Sequence, residues 1–553
     1  MDGIRRSIGR VIVPILLVLS SSSNGFQNHI HQYYHTTALE RKSSSISKKI
    51  AATRLYSNTP NNNPFSSLLG DFASSIMGQG DSVSANANLD ATLQGIATVG
   101  WSEIRSQLES VQTPEERQFR DSLALGYGVG SPMNKIRLYD ESNKEEDIRV
   151  TFYRDHASWC PYCQKVWFAL EEKKIPYRVE KVNMNCYGDK PREFLRLQPN
   201  GQIPVAIIDS RTYGQSNDIL AVLDSLFPEH KSLQPPAGQE REARELLMLE
   251  RTLAGAWLGW LRGGGGRRNM ENILGQVEGA LKASGGPFFM GKDVSIVDVQ
   301  FLSFLERMCA SLLFFKGFVI RVPPGTDSQN NPYPAINQWF DALEQKPSYQ
   351  LTKSDYYTHC WDLPPQLGGC GPEPEGEPYR KAINGERSLD GTQGSWEFPL
   401  QPHNGGIEPD WMWAGDEAAA KREAVERLSF NHQAIVKFAA RGAGKKGMPP
   451  VMAPLADPNA VPSEAVQTGV ETVLQTVTLA MLDGRETHED TMSKLAQAVV
   501  QQGGQEYADG LISSLSYLRD RVGVPRDMKL PAARQLRAHL NWAIGKILNA
   551  QSS

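Results

Sequence analysis

The sequence predicts a multidomain chain in which a central α/β unit is joined to several helical ones, and three observations carry that prediction. An apolar, strand-like run, Ile148 to Tyr153, leads into Trp159-Cys160-Pro161-Tyr162-Cys163. The apolar residues that follow, Val166, Trp167 and Leu170, recur at helical spacing. From about residue 239 onward, strand patterns give way to helical ones. A strand, a Cys-x-x-Cys and a helix in that order make the redox arrangement of the thioredoxin-like fold.

Residues 1–57 read as an address and stand outside the fold argument. Arg5, Arg6 and Arg10 precede Val11 to Leu19, an apolar run too short to span a bilayer. Ser23-Asn24-Gly25 has the small-residue spacing of a signal-peptidase site. Residues 27–70 are rich in Ser, Thr, Asn and basic residues, with Glu40 their only acid, as transit peptides are. A signal peptide followed by a transit peptide, with Phe26 at the junction, resembles the two-part plastid (chloroplast) address of algae with secondary red plastids. The alternative is a secreted protein with a disordered N-terminus.

Bulk properties exclude several classes. The 553 residues leave room for about three domains, and 40% hydrophobic with 22% charged residues suits globular cores. The net charge is −4, and without residues 1–70 the remainder is more acidic, at about −10. No long basic run offers a nucleic-acid footprint, and no membrane span is expected. Six cysteines in so long a chain do not make a secreted disulfide framework.

Residues 58–145 read as a partly helical extension. A helical pattern covers about 91–111, and Thr113-Pro114-Glu115-Glu116 starts another helix with a threonine cap, a proline at the first position and an acid three residues on. The α/β unit spans 146–228. Its strands are expected at 148–153, 177–184, 205–209 and 212–214, with helices at 161–174, about 190–198 and 216–227. Strand–helix–strand–helix–strand–strand–helix is thioredoxin topology, in which the Ile203-Pro204 bond opening the third strand is expected to be cis. An all-helical unit spans 239–356, its strongest signal being Ser295-Ile296-Val297-Asp298 before an apolar helix. Four glycines, Gly263 to Gly266, read as an inter-helix turn because no phosphate-loop Lys-Ser/Thr follows. Residues 357–414 read as a Pro/Gly-rich linker anchored by Trp361, Trp396, Trp411 and Trp413. Residues 415–553 read as a further α-helical domain with helices at 416–440, 463–482, 488–502, 504–521 and 531–548. Its His432, His488 and His539 are scattered, as surface or capping residues are.

The chemistry concentrates at Cys160. At the start of a helix, unpaired amides and the positive end of the dipole favour a thiolate, the nucleophile of thiol–disulfide exchange. Zinc is disfavoured because neither the other four cysteines nor the ten histidines form a ligand-spaced partner group, so no metal is expected; a structural disulfide is the other alternative. Cys163 either resolves a mixed disulfide at Cys160 or is a buried, inert thiol. Cys186 and Cys309 read as packing residues.

These motifs resemble the cysteine-type glutathione transferases (omega, lambda and dehydroascorbate-reductase classes) over about residues 146–356. The long extensions around Cys160-Pro161-Tyr162-Cys163 look most like the iota class of photosynthetic organisms. The resemblance implies a thioredoxin-like N-terminal GST domain, an all-α GST C-terminal domain and glutathione as co-substrate. It implies that Cys160 forms the mixed disulfide and that Ile203, before Pro204, pairs its backbone with the cysteinyl unit. Ser216 would hold the γ-glutamyl carboxylate at a helix start, and Lys190 would face the glycine carboxylate. Gln215 stands where many members have Glu. The function implied is a thiol transferase acting on small-molecule or protein thiols and disulfides: deglutathionylation, disulfide or dehydroascorbate reduction. The alternative is a glutathione- or ligand-binding scaffold in the plastid whose C-terminal helical domain docks on a protein partner.

Overall fold

In the computed structural model the described residues are 82–127, 131–139, 143–410 and 416–553. The expected address, the start of the extension, Trp411 and Trp413 lie outside them. One compact unit joins Asp81–Ser216 to Leu226–Ser553, and of a second only Asn217–Ser225 is described.

The extension forms three helices, α1 (Ser82–Ile96), α2 (Trp101–Val111) and α3 (Pro114–Ala124). The single helix expected at 91–111 is broken at Gly100, whose extended backbone starts α2. Thr113 and Glu116 cap α3 reciprocally, as the residue pattern requires. These helices rest on the C-terminal helices, a choice the sequence leaves open. Trp101 donates its indole N–H to Glu471 at 3.0 Å and stacks on His432 at 4.8 Å, and Arg422 grips Glu116 at 2.9 Å.

The sheet has five strands in the order β1-β3-β2-β4-β5. They are β1 (Ile136–Arg137), β2 (Val150–Asp155), β3 (Tyr177–Val182), β4 (Val205–Ile208) and β5 (Arg211–Tyr213). β2 and β3 are parallel, joined across α4 (Pro161–Lys173), and every other pairing is antiparallel. β1 was not expected: two residues carry no period. It is fixed instead by the Arg137 ion pair with Glu171, at 3.1 Å, against the back of α4. α4 is buried on nearly every side because the sheet covers one face and the helical region the other. Then come α5 (Arg192–Leu197) and α6 (Ser216–Leu226).

The helical region begins with α7 (Glu240–Leu261), α8 (Arg267–Ala283), α9 (Ile296–Lys316), α10 (Pro334–Glu344) and α11 (Pro347–Thr352). α9 is its axis and is buried along its whole length. Asp298 at its start accepts from the Ser295 amide (2.9 Å), the Phe289 amide (3.0 Å) and the Trp339 indole (2.8 Å). The capping box therefore also ties α10 and the preceding loop to α9. At the other end Gly317 adopts φ 58°, where a side chain would collide with the Glu375 carbonyl at 2.3 Å.

The expected linker at 357–414 contains two helices, α12 (Tyr356–Leu367) and α13 (Glu377–Ile383). Proline content argued against helix there, but Pro364 and Pro365 fall in the last turn of α12, and Asp355 caps its start at 2.9 Å from the Thr358 amide. Trp396 is buried and meets Tyr357 edge-on at 5.0 Å, so it does anchor the segment. The C-terminal helices are α14 (Glu417–Phe430), α15 (His432–Ala439), α16 (Gln467–Asp483), α17 (Arg485–Arg521) and α18 (Leu530–Ser552). Asn431 leaves helical geometry, splitting the helix expected at 416–440. Gly504, at φ 73°, divides α17 where two helices were expected.

His539 departs from the surface role expected of it. It is 1% exposed, its ring accompanies the Gln535 carbonyl at 2.7 Å and faces Phe398 edge-on at 4.7 Å. Burial pushes its pKa down from 6.5 to about 4. The folded form therefore holds it neutral while the unfolded chain protonates it below about pH 6.5. Stability is intact above that pH and falls as the pH drops toward 4, by up to about 3 kcal/mol from this residue. Urea denaturation midpoints measured from pH 7 to pH 4.5 should fall less in His539→Phe than in the wild type.

Candidate active site

Strand register brings the candidate residues to one end of the sheet. Asp155, the last residue of β2, lies opposite Val182, the last of β3. β4 starts beside the same end, with Val205 opposite Tyr153, and Tyr213 of β5 lies opposite Ala206. The turn carrying Cys160, the loop carrying Lys190, the cis Ile203-Pro204 bond and the Gln215-Ser216 step all leave the sheet at this end.

Cys160 is the residue that caps α4, and Pro161 takes the first helical position, where no amide partner is required. The turn is held by Asp155, which no motif singled out. One of its carboxylate oxygens accepts from the Trp159 amide at 2.5 Å and the Cys160 amide at 3.1 Å. A carboxylate oxygen of Asp155 and the sulfurs of Cys160 and Cys163 lie within 4.8 Å of one another. Cys160 is 7% exposed and Cys163 1%. Burial, reinforced by the neighbouring Cys160 sulfur, pushes the Cys163 thiol well above its ordinary value.

Lys190 is half-buried, donates to the Asn183 carbonyl and lies 5.7 Å from the Phe194 ring. Burial lowers its pKa, and the sulfurs of Cys160 and Cys163 act in the opposite sense. Ser216 is buried at the first position of α6, after a half-buried Gln215. The remaining cysteines are free; Cys186, Cys309 and Cys360 are buried and Cys370 is half-buried. Cys186 accepts from the Gln366 amide at 2.7 Å, and its pKa is pushed up to about 12 by burial. Its carbonyl accepts from the Met452 and Ala453 amides at 3.1 and 3.0 Å, so the C-terminal region closes over the loop that bears Lys190. Cys309 lies in the core of α9, and burial raises its pKa.

The helical region supplies a buried polar cluster beside the turn that sequence patterns did not reveal. Arg307 of α9 donates to the Trp159 carbonyl and, at 2.6 Å each, to the Gln164 side chain and the Ser303 carbonyl. Gln164 donates to Glu306 at 3.0 Å. Glu306 also accepts from the Ser354 amide at 3.1 Å and lies 2.8 Å from the His359 ring. The only advance signal was a Glu-Arg pair inside an otherwise apolar helix.

A thioredoxin-like α/β domain with a cysteine opening its first helix, followed by helices built on one buried, box-capped axis, is glutathione-transferase-like architecture, here continued by a large helical C-terminal region. Residues 159–226 match the family model of the glutathione S-transferase N-terminal domain. The chain is similar to glutathione S-transferase DHAR2 of Arabidopsis thaliana, 28% identical over 199 residues, 35% of this chain and 84% of that protein. It is also similar to the chloroplastic glutathione S-transferase DHAR3 of the same plant, 27% identical over 35% of this chain and 69% of that protein. Among solved structures it resembles glutathione transferase Omega 3C from Trametes versicolor, 22% identical with a TM-score of 0.32, over 37% of this chain and 85% of that one.

Proposed function

We propose that this protein is a glutathione-dependent thiol oxidoreductase of the cysteine-type glutathione transferases, nearest the iota class, and that it works in the plastid. The observation that carries the reading is Cys160 at the first turn of α4, with Cys163 and Asp155 beside it. All three sit at the sheet end from which the Lys190 loop, the cis Ile203-Pro204 bond and Ser216 also leave.

In this reading the Cys160 thiolate attacks one sulfur of a glutathionylated protein or small disulfide. An S–S bond forms to Cys160 and the substrate thiolate leaves, taking a proton from solvent. A glutathione thiolate then attacks the Cys160-bound glutathione sulfur, forming oxidised glutathione and releasing the Cys160 thiolate. Alternatively, Cys163 attacks the Cys160 sulfur, expels glutathione and closes an intramolecular disulfide that two glutathione molecules later reduce, leaving as oxidised glutathione. Dehydroascorbate is reduced by the same two electrons. Ser216 receives the γ-glutamyl carboxylate, the Ile203 backbone pairs with the cysteinyl unit, and Lys190 turns from Asn183 toward the glycine carboxylate. Conjugation is disfavoured because a cysteine occupies the place of the hydroxyl that would activate glutathione itself.

The test is mass spectrometry of the protein after incubation with oxidised glutathione. Peptide mapping should place the adduct, or a Cys160–Cys163 disulfide, at the start of α4. An adduct confined to half-buried Cys370, with none at Cys160, would refute the reading.

A further inference from the structure

Arg307 is 1% exposed and carries a full charge in the interior. Among the described residues it forms no ion pair, and its Nε has no hydrogen-bond partner. Its neighbour Glu306 is the largest favourable charge nearby, but that carboxylate is already occupied by Gln164, Ser354 and His359. A buried cation without its own anion is costly, so an anion formed beside it is favoured. The next groups favouring its charge are Cys160 and Asp155, and its donors clasp the residues on both sides of Cys160, the Trp159 carbonyl and the Gln164 side chain. The guanidinium also stands over the Trp159 ring at 5.1 Å.

We infer that Arg307, on the helical region, is a positioning residue that supplies the counter-charge for the Cys160 thiolate. This rests on the thiol chemistry proposed above and adds that the reactivity of the α/β domain depends on a cation delivered from α9. The other charged or titratable groups facing Cys160 are Asp155 at the end of β2, Cys163 and Tyr162 on α4, and Lys190 on the loop before α5. One carboxylate oxygen of Asp155 is taken up by the Trp159 and Cys160 amides that hold the turn, and Lys190 is half-buried on the side where glutathione would lie. Arg307 is thus the cation built into the inner wall.

The test is the pH profile of iodoacetamide alkylation at Cys160, read by peptide mass spectrometry on the full chain. Arg307→Gln keeps a donor for the Trp159 carbonyl but removes the charge. It should move the half-maximal pH upward by about one unit and slow alkylation at pH 7 about tenfold, the scale of one lost charge interaction. Arg307→Lys keeps the charge and loses the fork, so its profile should stay with the wild type while its melting temperature falls. Identical profiles for wild type and Arg307→Gln would overturn the inference and leave the thiol chemistry standing. Should Arg307→Gln not fold, Arg307→Lys decides, since a displacement of about one unit there would show that geometry and not charge governs the sulfur. A wild-type Cys160 inert to alkylation at every pH up to 9 would instead sink the underlying thiol reading.

Discussion

Replacing Cys160 by serine should abolish reduction of a glutathione mixed disulfide, lowering kcat/KM at least about a thousandfold, which is roughly 4 kcal/mol of lost transition-state stabilisation. The effect is this large because burial holds the other five cysteine sulfurs in their protonated, weakly nucleophilic form. Cys163 is 1% exposed and its protonated form is favoured by burial, while Cys186 and Cys309 are held up by the same cause. Serine preserves the fold, since Cys160 makes no side-chain cap bond to α4 and its backbone amide still meets Asp155. Cys163→Ser should behave differently, keeping part of the turnover, because glutathione itself can discharge the mixed disulfide. The measurement is steady-state turnover of the three proteins with a glutathionylated peptide, alongside a glutathione-binding assay. A Cys160→Ser variant with more than about a tenth of wild-type turnover would remove the nucleophile from the mechanism. Negligible turnover in the wild type with glutathione still bound would return the scaffold reading.

The fold around Cys160 was legible because each element there announces itself locally. The strand falls at 150–155, two residues past the expected 148–153, with Val150 and Phe152 buried and alternating with half-buried residues. Pro161 and the cysteines follow it, and the Ser295-Asp298 box starts α9 as written. What escaped was whatever depends on distant partners. β1 is two residues long and exists because Arg137 finds Glu171. α12 forms through prolines because Asp355 caps it and the Tyr357 ring meets Trp396. The site divides in the same way. Cys160, Cys163, Pro204 and Ser216 sit in short motifs, whereas Asp155 acts through the Trp159 and Cys160 amides and Arg307 reaches the Trp159 carbonyl from a distant helix. A single polar residue in an apolar run cannot say what it faces. His539 shows the converse, because scattered position suggested surface and only packing reveals a buried, neutral ring.

The C-terminal helices should depend strongly on one internal ion pair. Arg537 of α18 donates to the Asp355 carboxylate at 2.9 Å and to the Val522 carbonyl at 3.0 Å, with both side chains essentially out of solvent. Its guanidinium lies between the Tyr357 and Trp396 rings, 4.8 and 4.7 Å from their centres. Asp355 meanwhile caps α12, and its neighbour Ser354 bonds both Glu306 and the Val524 carbonyl. Arg537→Met would leave a buried carboxylate uncompensated and should cost about 3–5 kcal/mol, the range for breaking one half of a buried pair. Removing both charges, as Arg537→Met with Asp355→Asn, keeps an acceptor at the α12 start without the stranded charge, so the double variant should recover about half of that loss. Guanidinium denaturation followed by tryptophan fluorescence measures both, since Trp396 lies on the guanidinium. A single variant within about 1 kcal/mol of wild type would mean that water reaches the pair and screens it. The same bonds run from α18 through Ser354 and Glu306 to Gln164, beside Arg307. Loosening Arg537 should therefore also blunt alkylation of Cys160, a change that a C-terminal region merely appended to the active site would not produce.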